Sequence, residues 1–178
     1  MTESINPNGS KHNGSKGLAE GSWKGMKKYL EKDMLCEALR GRVSYDFTWY
    51  PAFGGLSAVF TVLLNGQPAK KFGAAYAWKK LTEQGFEIRY IDDVCCVPFT
   101  TREEYTDWEF SDALQAYRNQ PFVQSIASEN SIIRMFAIVD RRIGKRRLER
   151  LKDEVDQQPK WLRLLYVARL QAEGIITG

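Results

Sequence analysis

Residues 42–72, RVSYDFTWYPAFGGLSAVFTVLLNGQPAKKF, decide the fold class. From Arg42 to Tyr50 the chain alternates. Val43, Tyr45, Phe47 and Trp49 fall on one face and Ser44, Asp46 and Thr48 on the other, the period-two signature of a half-buried strand. Pro51-Ala-Phe-Gly-Gly55 reads as the break that ends it. The run from Leu56 to Leu64 is apolar on both faces near its end, which predicts a central strand. Asn65-Gly66 is a hairpin signal, because both central positions of a type I′ turn need positive φ. A third strand, from Ala69 to Phe72, follows Pro68, whose missing N–H favours an edge. Tyr45, Phe47 and Trp49 are expected to cover the core, and Tyr50 and Phe53 to be exposed at the turn.

On the N-terminal side, Ser22 can cap a helix whose apolar stripe is Trp23, Met26, Leu30 and Met34, ended by Gly41. On the C-terminal side, Ala74, Ala77, Trp78 and Leu81 predict a second helix that stops at Gly85. Phe86 to Val97 reads as a further strand. Thr101 with Glu104 reads as a capping box opening a third helix through Tyr105, Trp108, Leu114 and Tyr117. Ile132, Ile133, Met135, Phe136 and Val139 look fully buried. Gly144 separates that run from a helix bearing Leu148, Leu151 and Val155, and Pro159 opens a last helix with Trp161, Leu165, Ala168 and Ala172 on one stripe. The expected class is α+β: an N-terminal helix, a small antiparallel sheet of three to four strands, and a helical C-terminal half. Residues 1–20, where Asn-Gly-Ser-Lys occurs twice, read as a disordered tail. Residues 21–178 of the 178-residue chain then form a single domain, long enough to bury one core.

Several chemistries are excluded. The single histidine, His12, lies in the tail, so Ser-His-Asp, Cys-His and two-histidine metal chemistry have no imidazole in the body. The three cysteines are Cys36, Cys95 and Cys96. An odd count with two neighbours suits a reducing cytoplasm and makes a zinc site a poor expectation. No cofactor or metal is expected. No apolar run approaches the ~20 residues that span a bilayer.

The net charge of +4 is unevenly laid out. Residues 1–82 carry +6, residues 83–112 carry −7, and residues 131–170 carry +6. The basic residues are densest at Arg141, Arg142, Lys145, Arg146, Arg147 and Arg150. On a helix starting near Gly144, Leu148 and Leu151 face the core and the cations fan over the exposed side. Such a face suits a phosphate backbone or an acidic protein surface. Alternatively, carboxylates of residues 83–112 pair with it inside the fold, as can Glu149 and Asp153. Asp92-Asp93 and Glu103-Glu104 are the conspicuous paired carboxylates, and a metal-dependent nuclease would join Asp92 or Asp93 to Glu103 and a lysine. Adjacent acids in a strand point apart, however, and Glu103-Glu104 suit a helix's first turn.

The order of helix, hairpin-linked strands and helix resembles the double-stranded-RNA-binding domain in outline alone, with Lys70-Lys71 ahead of the second helix. A longer resemblance is carried by Ser22-Trp-Lys-Gly-Met-Lys27, Leu39-Arg-Gly-Arg-Val43, Leu64-Asn-Gly66, Asp140-Arg-Arg-Ile-Gly-Lys-Arg-Arg-Leu148 and Trp161-Leu with Tyr166 and Arg169-Leu-Gln-Ala-Glu-Gly-Ile175. Over residues 22–175 the chain resembles a small family of bacterial cytosolic proteins with no assigned activity. The resemblance implies a bacterial, cytoplasmic protein and transfers no catalytic residue. The expected function is therefore non-enzymatic binding of a protein partner through the basic segment, Tyr50 and Phe53, or both. Carried on a mobile element, such a protein could inhibit a nuclease or defence complex. Nucleic-acid binding through residues 141–150 is the second expectation and a nuclease the third. The oligomeric state is not legible.

Overall fold

The computed structural model describes residues 22–52, 55–85, 90–91, 94–95 and 103–177. The N-terminal tail, Phe53, Asp92, Asp93 and Thr101 lie outside them. The fold is α+β, with an N-terminal helix, a three-stranded antiparallel sheet and a run of C-terminal helices.

The sheet has the order β1 (Val43–Ala52), β2 (Gly55–Leu64), β3 (Gln67–Phe72), so the most apolar strand is central. Asn65 and Gly66 adopt φ of 52° and 77°, the turn that Asn-Gly predicts. Contrary to expectation, Pro51 does not end β1, because Pro51 pairs with Leu56 and Ala52 with Gly55. The reason is directional. Tyr45 N–H and C=O bond to side chains outside the sheet, so the odd-numbered residues of β1 aim their backbone groups away from β2. Pro51 shares that parity and costs the ladder no hydrogen bond.

The first helix is shorter than its stripe suggests. It runs α-helical over α1 (Trp23–Lys28), widens into a π turn over Tyr29–Met34, and becomes extended at Leu35. Leu35 then forms an antiparallel bridge with Asp140. Helix α2 (Ala74–Glu83) follows Gly73, where a Cβ would stand 2.7 Å from Val59 Cγ2 and 2.9 Å from Ala58 O. This close approach seats α2 on β2.

The Phe86–Val97 run is not one strand. β4 (Tyr90–Ile91) pairs back on β5 (Val94–Cys95) in a separate antiparallel ladder. Nor does the third helix start where expected. The Ser/Thr-x-x-Glu pattern recurs at Thr106, and that copy caps α3 (Asp107–Asn119). Thr106 accepts from Glu109 N–H while the Glu109 carboxylate accepts from Thr106 N–H. Tyr105 is therefore outside the helix and bridges Phe72 in parallel. The same shift takes Glu103 and Glu104 out of the helical first turn.

Helices α4 (Phe122–Ile126), α5 (Ser131–Val139), α6 (Lys145–Leu151) and α7 (Lys160–Ala172) complete the chain. A 3-10 stretch, Lys152–Gln157, continues α6. Ile132, Met135, Phe136 and Val139 of α5 are fully buried, as their clustering predicts. The core joins sheet and helices through rings: Phe60 stacks on Phe110 at 4.6 Å, Phe72 meets Trp161 edge-on, and Phe110 meets Phe136. Truncating such a ring costs about 3–5 kcal/mol. Among the described residues, no helix is long and apolar enough to cross a membrane.

Candidate docking site

The basic segment grows out of a rigid root. Asp140 caps α5 at its C-terminus and is 1% exposed. A buried carboxylate is tolerable only when its oxygens are satisfied, and here they are. Tyr117 Oη donates to Oδ2, Arg142 N–H donates to Oδ1 at 2.6 Å, and the Arg142 guanidinium donates to both oxygens at 2.9–3.1 Å. Arg142 also donates to Tyr117 Oη at 2.8 Å and lies over the Phe122 ring at 4.8 Å. The Asp140 hydrogen bonds raise the Arg142 pKa further, and burial, then Asp140, push the Tyr117 phenol well up. The Arg142 guanidinium is thereby held charged and the Tyr117 phenol neutral.

Two further ties hold the root. Cys36 N–H donates to Val139 O at 3.0 Å, and Arg141 N–H donates to Met34 O at 2.9 Å. Arg169 of α7, 2% exposed, donates from Nη2 to Ile143 O at 3.4 Å and pairs with Glu173 at 3.1 Å. Ile143, Leu148 and Leu151 are buried beneath, so α6 is pinned along its apolar side.

The outer side carries the charge. Arg141, Lys145, Arg146, Arg147 and Arg150 are all exposed and form no ion pair with any described residue. Of the six basic residues singled out from sequence, Arg142 alone is engaged, as the clamp on Asp140. Glu149 and Asp153 come within ion-pair distance of none of them despite helical spacing, so the cations stand open. Of the described carboxylates of residues 83–112, all but the exposed Asp112 are used elsewhere. Glu83 pairs with Lys79 and Lys80, Glu103 accepts from Lys160 N–H, Glu104 pairs with Lys70 at 2.9 Å, Asp107 accepts from Ala74 N–H, and Glu109 closes its capping box.

This arrangement is electrostatically unfavourable in the isolated chain. Lys145, Arg146 and Arg147 occupy the first turn of α6, which has no acidic residue, although cations there oppose the helix dipole. Arg146 and Arg150 are like charges at i,i+4. Immediately beyond, the 3-10 stretch exposes Asp153, Glu154 and Asp156. The surface is thus a short strip, positive and then negative.

The aromatic expectations divide. Tyr45 is buried and Phe47 half-buried, but Trp49 is 52% exposed, against the expectation that it covers the core. It lies beyond the reach of Trp23, which packs on Phe47 and Phe60, and touches Phe47 edge-on at 5.2 Å. Tyr50 is 48% exposed, as expected. Lys70 departs from the RNA-binding outline. It faces the core, is 8% exposed, and sits against the Tyr105 and Trp161 rings with its charge disfavoured by burial. Among the described residues, no three His, Cys, Asp or Glu side chains cluster as a metal site.

No curated protein and no solved structure matches the chain. Residues 22–170 match the SF0329 protein family, a span that opens at the cap of α1 and contains the whole anchored basic segment. The chain belongs to that family.

Proposed function

We propose that this protein is a binding protein that docks its basic segment on an acidic surface of a protein partner. One observation carries the reading: five exposed cations on a rigid root have no ion pair among the described residues and crowd a helical turn that disfavours them. Residues that break a local rule without an internal gain are expected where function is served. The three carboxylates that follow favour a protein over nucleic acid. A polyphosphate track would meet repulsion within one turn, whereas a protein surface can oppose both signs. In a bacterial cytoplasm, such docking would let a small chain block or scaffold a larger complex, a nuclease or defence complex included.

The test is a pull-down from the native host with wild type and with Arg146→Glu/Arg147→Glu. A stoichiometric protein partner, lost in the double variant and weakened by salt, is the expected result. Retention of the partner by the double variant sinks the proposal. Capture of nucleic acid instead, with a steep salt dependence, would establish the alternative use of the same cations.

A further inference from the structure

The outer edge of β1 is closed at Tyr45 and at Pro51 and open between them. At one end Tyr45 has both outward backbone groups taken: Lys27 Nζ donates to Tyr45 O at 2.7 Å, and Tyr45 N–H donates to Glu31 Oε1 at 2.8 Å. At the other end stands Pro51, which has no N–H to offer. Between them, Phe47 and Trp49 share the outward parity, and neither has a backbone partner outside the sheet among the described residues. Their neighbours Asp46, Thr48 and Tyr50 are exposed on the other face.

We infer that this window pairs with the same window of a second copy, antiparallel, about a twofold axis through Thr48. In that register Phe47 of each copy faces Trp49 of the other, and each of the two facing pairs exchanges two backbone hydrogen bonds. No shifted antiparallel register brings both Phe47 and Trp49 onto the same two residues of the other copy. The side chains agree with it. Phe47 meets Trp49, Thr48 meets Thr48, and Asp46 meets Tyr50, which are aromatic, hydroxyl and carboxylate–phenol pairs with no like charges opposed. The isologous geometry needs no change in either copy. A window this short makes a small interface, so the dimer forms in a concentration-dependent way. This inference is independent of the basic segment.

Cysteine scanning tests it directly. Asp46→Cys, Thr48→Cys and Tyr50→Cys are made singly in a Cys95→Ser/Cys96→Ser background, Cys36 being buried, and are oxidised mildly. Across the axis, position 48 is a non-hydrogen-bonded pair with Cα atoms about 4.5 Å apart, within disulfide range. Positions 46 and 50 do not face themselves. The expected result is a disulfide dimer at position 48 several-fold above that at 46 or 50. In parallel, sedimentation should show a dimer that grows with concentration and that Thr48→Lys abolishes without altering the thermal melt. Either a scan without a maximum at 48, or a sedimenting dimer that Thr48→Lys leaves intact, overturns the inference.

Discussion

Reversing the first-turn charges of α6 should make the protein more stable and less able to bind. In Arg146→Glu/Arg147→Glu, two cations that oppose the helix dipole become two anions that favour it. Each reversal is worth roughly twice a typical exposed dipole interaction of about 0.3–0.5 kcal/mol at low salt. The Arg146–Arg150 repulsion becomes a Glu-to-Arg attraction, adding about 0.5 kcal/mol. The total is roughly 1.5–2.5 kcal/mol. For a domain of this size that is about +3 to +10 °C in Tm. Thermal melts at low salt read the gain, and repeating them near molar salt should remove most of it, since the Debye length there is only about 3 Å. A double variant no more stable than wild type at low salt would refute the reasoning, because the cations would then be compensated within the fold. A gain in Tm together with loss of the partner in the pull-down is the joint signature of charges kept for docking.

Two phenols should respond oppositely to the same deletion. Tyr117→Phe removes the donor to Asp140 and an acceptor for Arg142, costing about 1–3 kcal/mol in chemical denaturation. Tyr45 Oη, buried without a partner among the described residues, should give a Tyr45→Phe variant at least as stable as wild type. Gly73→Ala forces a Cβ into Val59 Cγ2 and the Ala58 carbonyl and should destabilise by about 1–3 kcal/mol, readable as a lower denaturation midpoint with unchanged slope. Alkaline titration should show a maximum followed by a fall. Burial lowers the Lys70 pKa, so its folding penalty shrinks as pH rises from that lowered value to the free value of 10.5. Burial raises Tyr166 to about 12 and Tyr45 and Tyr117 further, so their stability is fully present below the free value of 10.0 and is lost as pH climbs through the folded values. A denaturation midpoint that stays flat from neutral pH to pH 12 would contradict those burials.

The elements legible in the sequence are those specified by local chemistry. Asn65-Gly66 demands its turn, the odd-even alternation of β1 demands its face, and the apolar run of α5 demands burial. What was not legible depends on non-local partners. Trp49 has the parity of a core residue, but nothing in the strand's own pattern says where Trp23 stops covering the sheet. Thr101 and Thr106 head equivalent capping patterns, and the choice falls to Tyr105 bridging Phe72 and Glu104 reaching Lys70. Within the docking site the cations were readable from their density and spacing. The Tyr117–Asp140–Arg142 unit was not, since Tyr117 lies 23 residues from Asp140 in the chain. The one available signal was an acid beside an otherwise basic run, next to a largely apolar helix.

The far side of the sheet has its own consequence. β3 opens with Gln67-Pro68, and at its other end Gly73 N–H donates to Tyr105 O at 3.0 Å where Phe72 is bridged. A fibril grows by adding strands at one rim while keeping another rim available, and here the second rim is already plugged by a proline and by the chain itself. Whatever joins at β1 therefore terminates rather than propagates. A chain with so many rings and β-branched residues in three consecutive strands can in this way be kept at high concentration without polymerising.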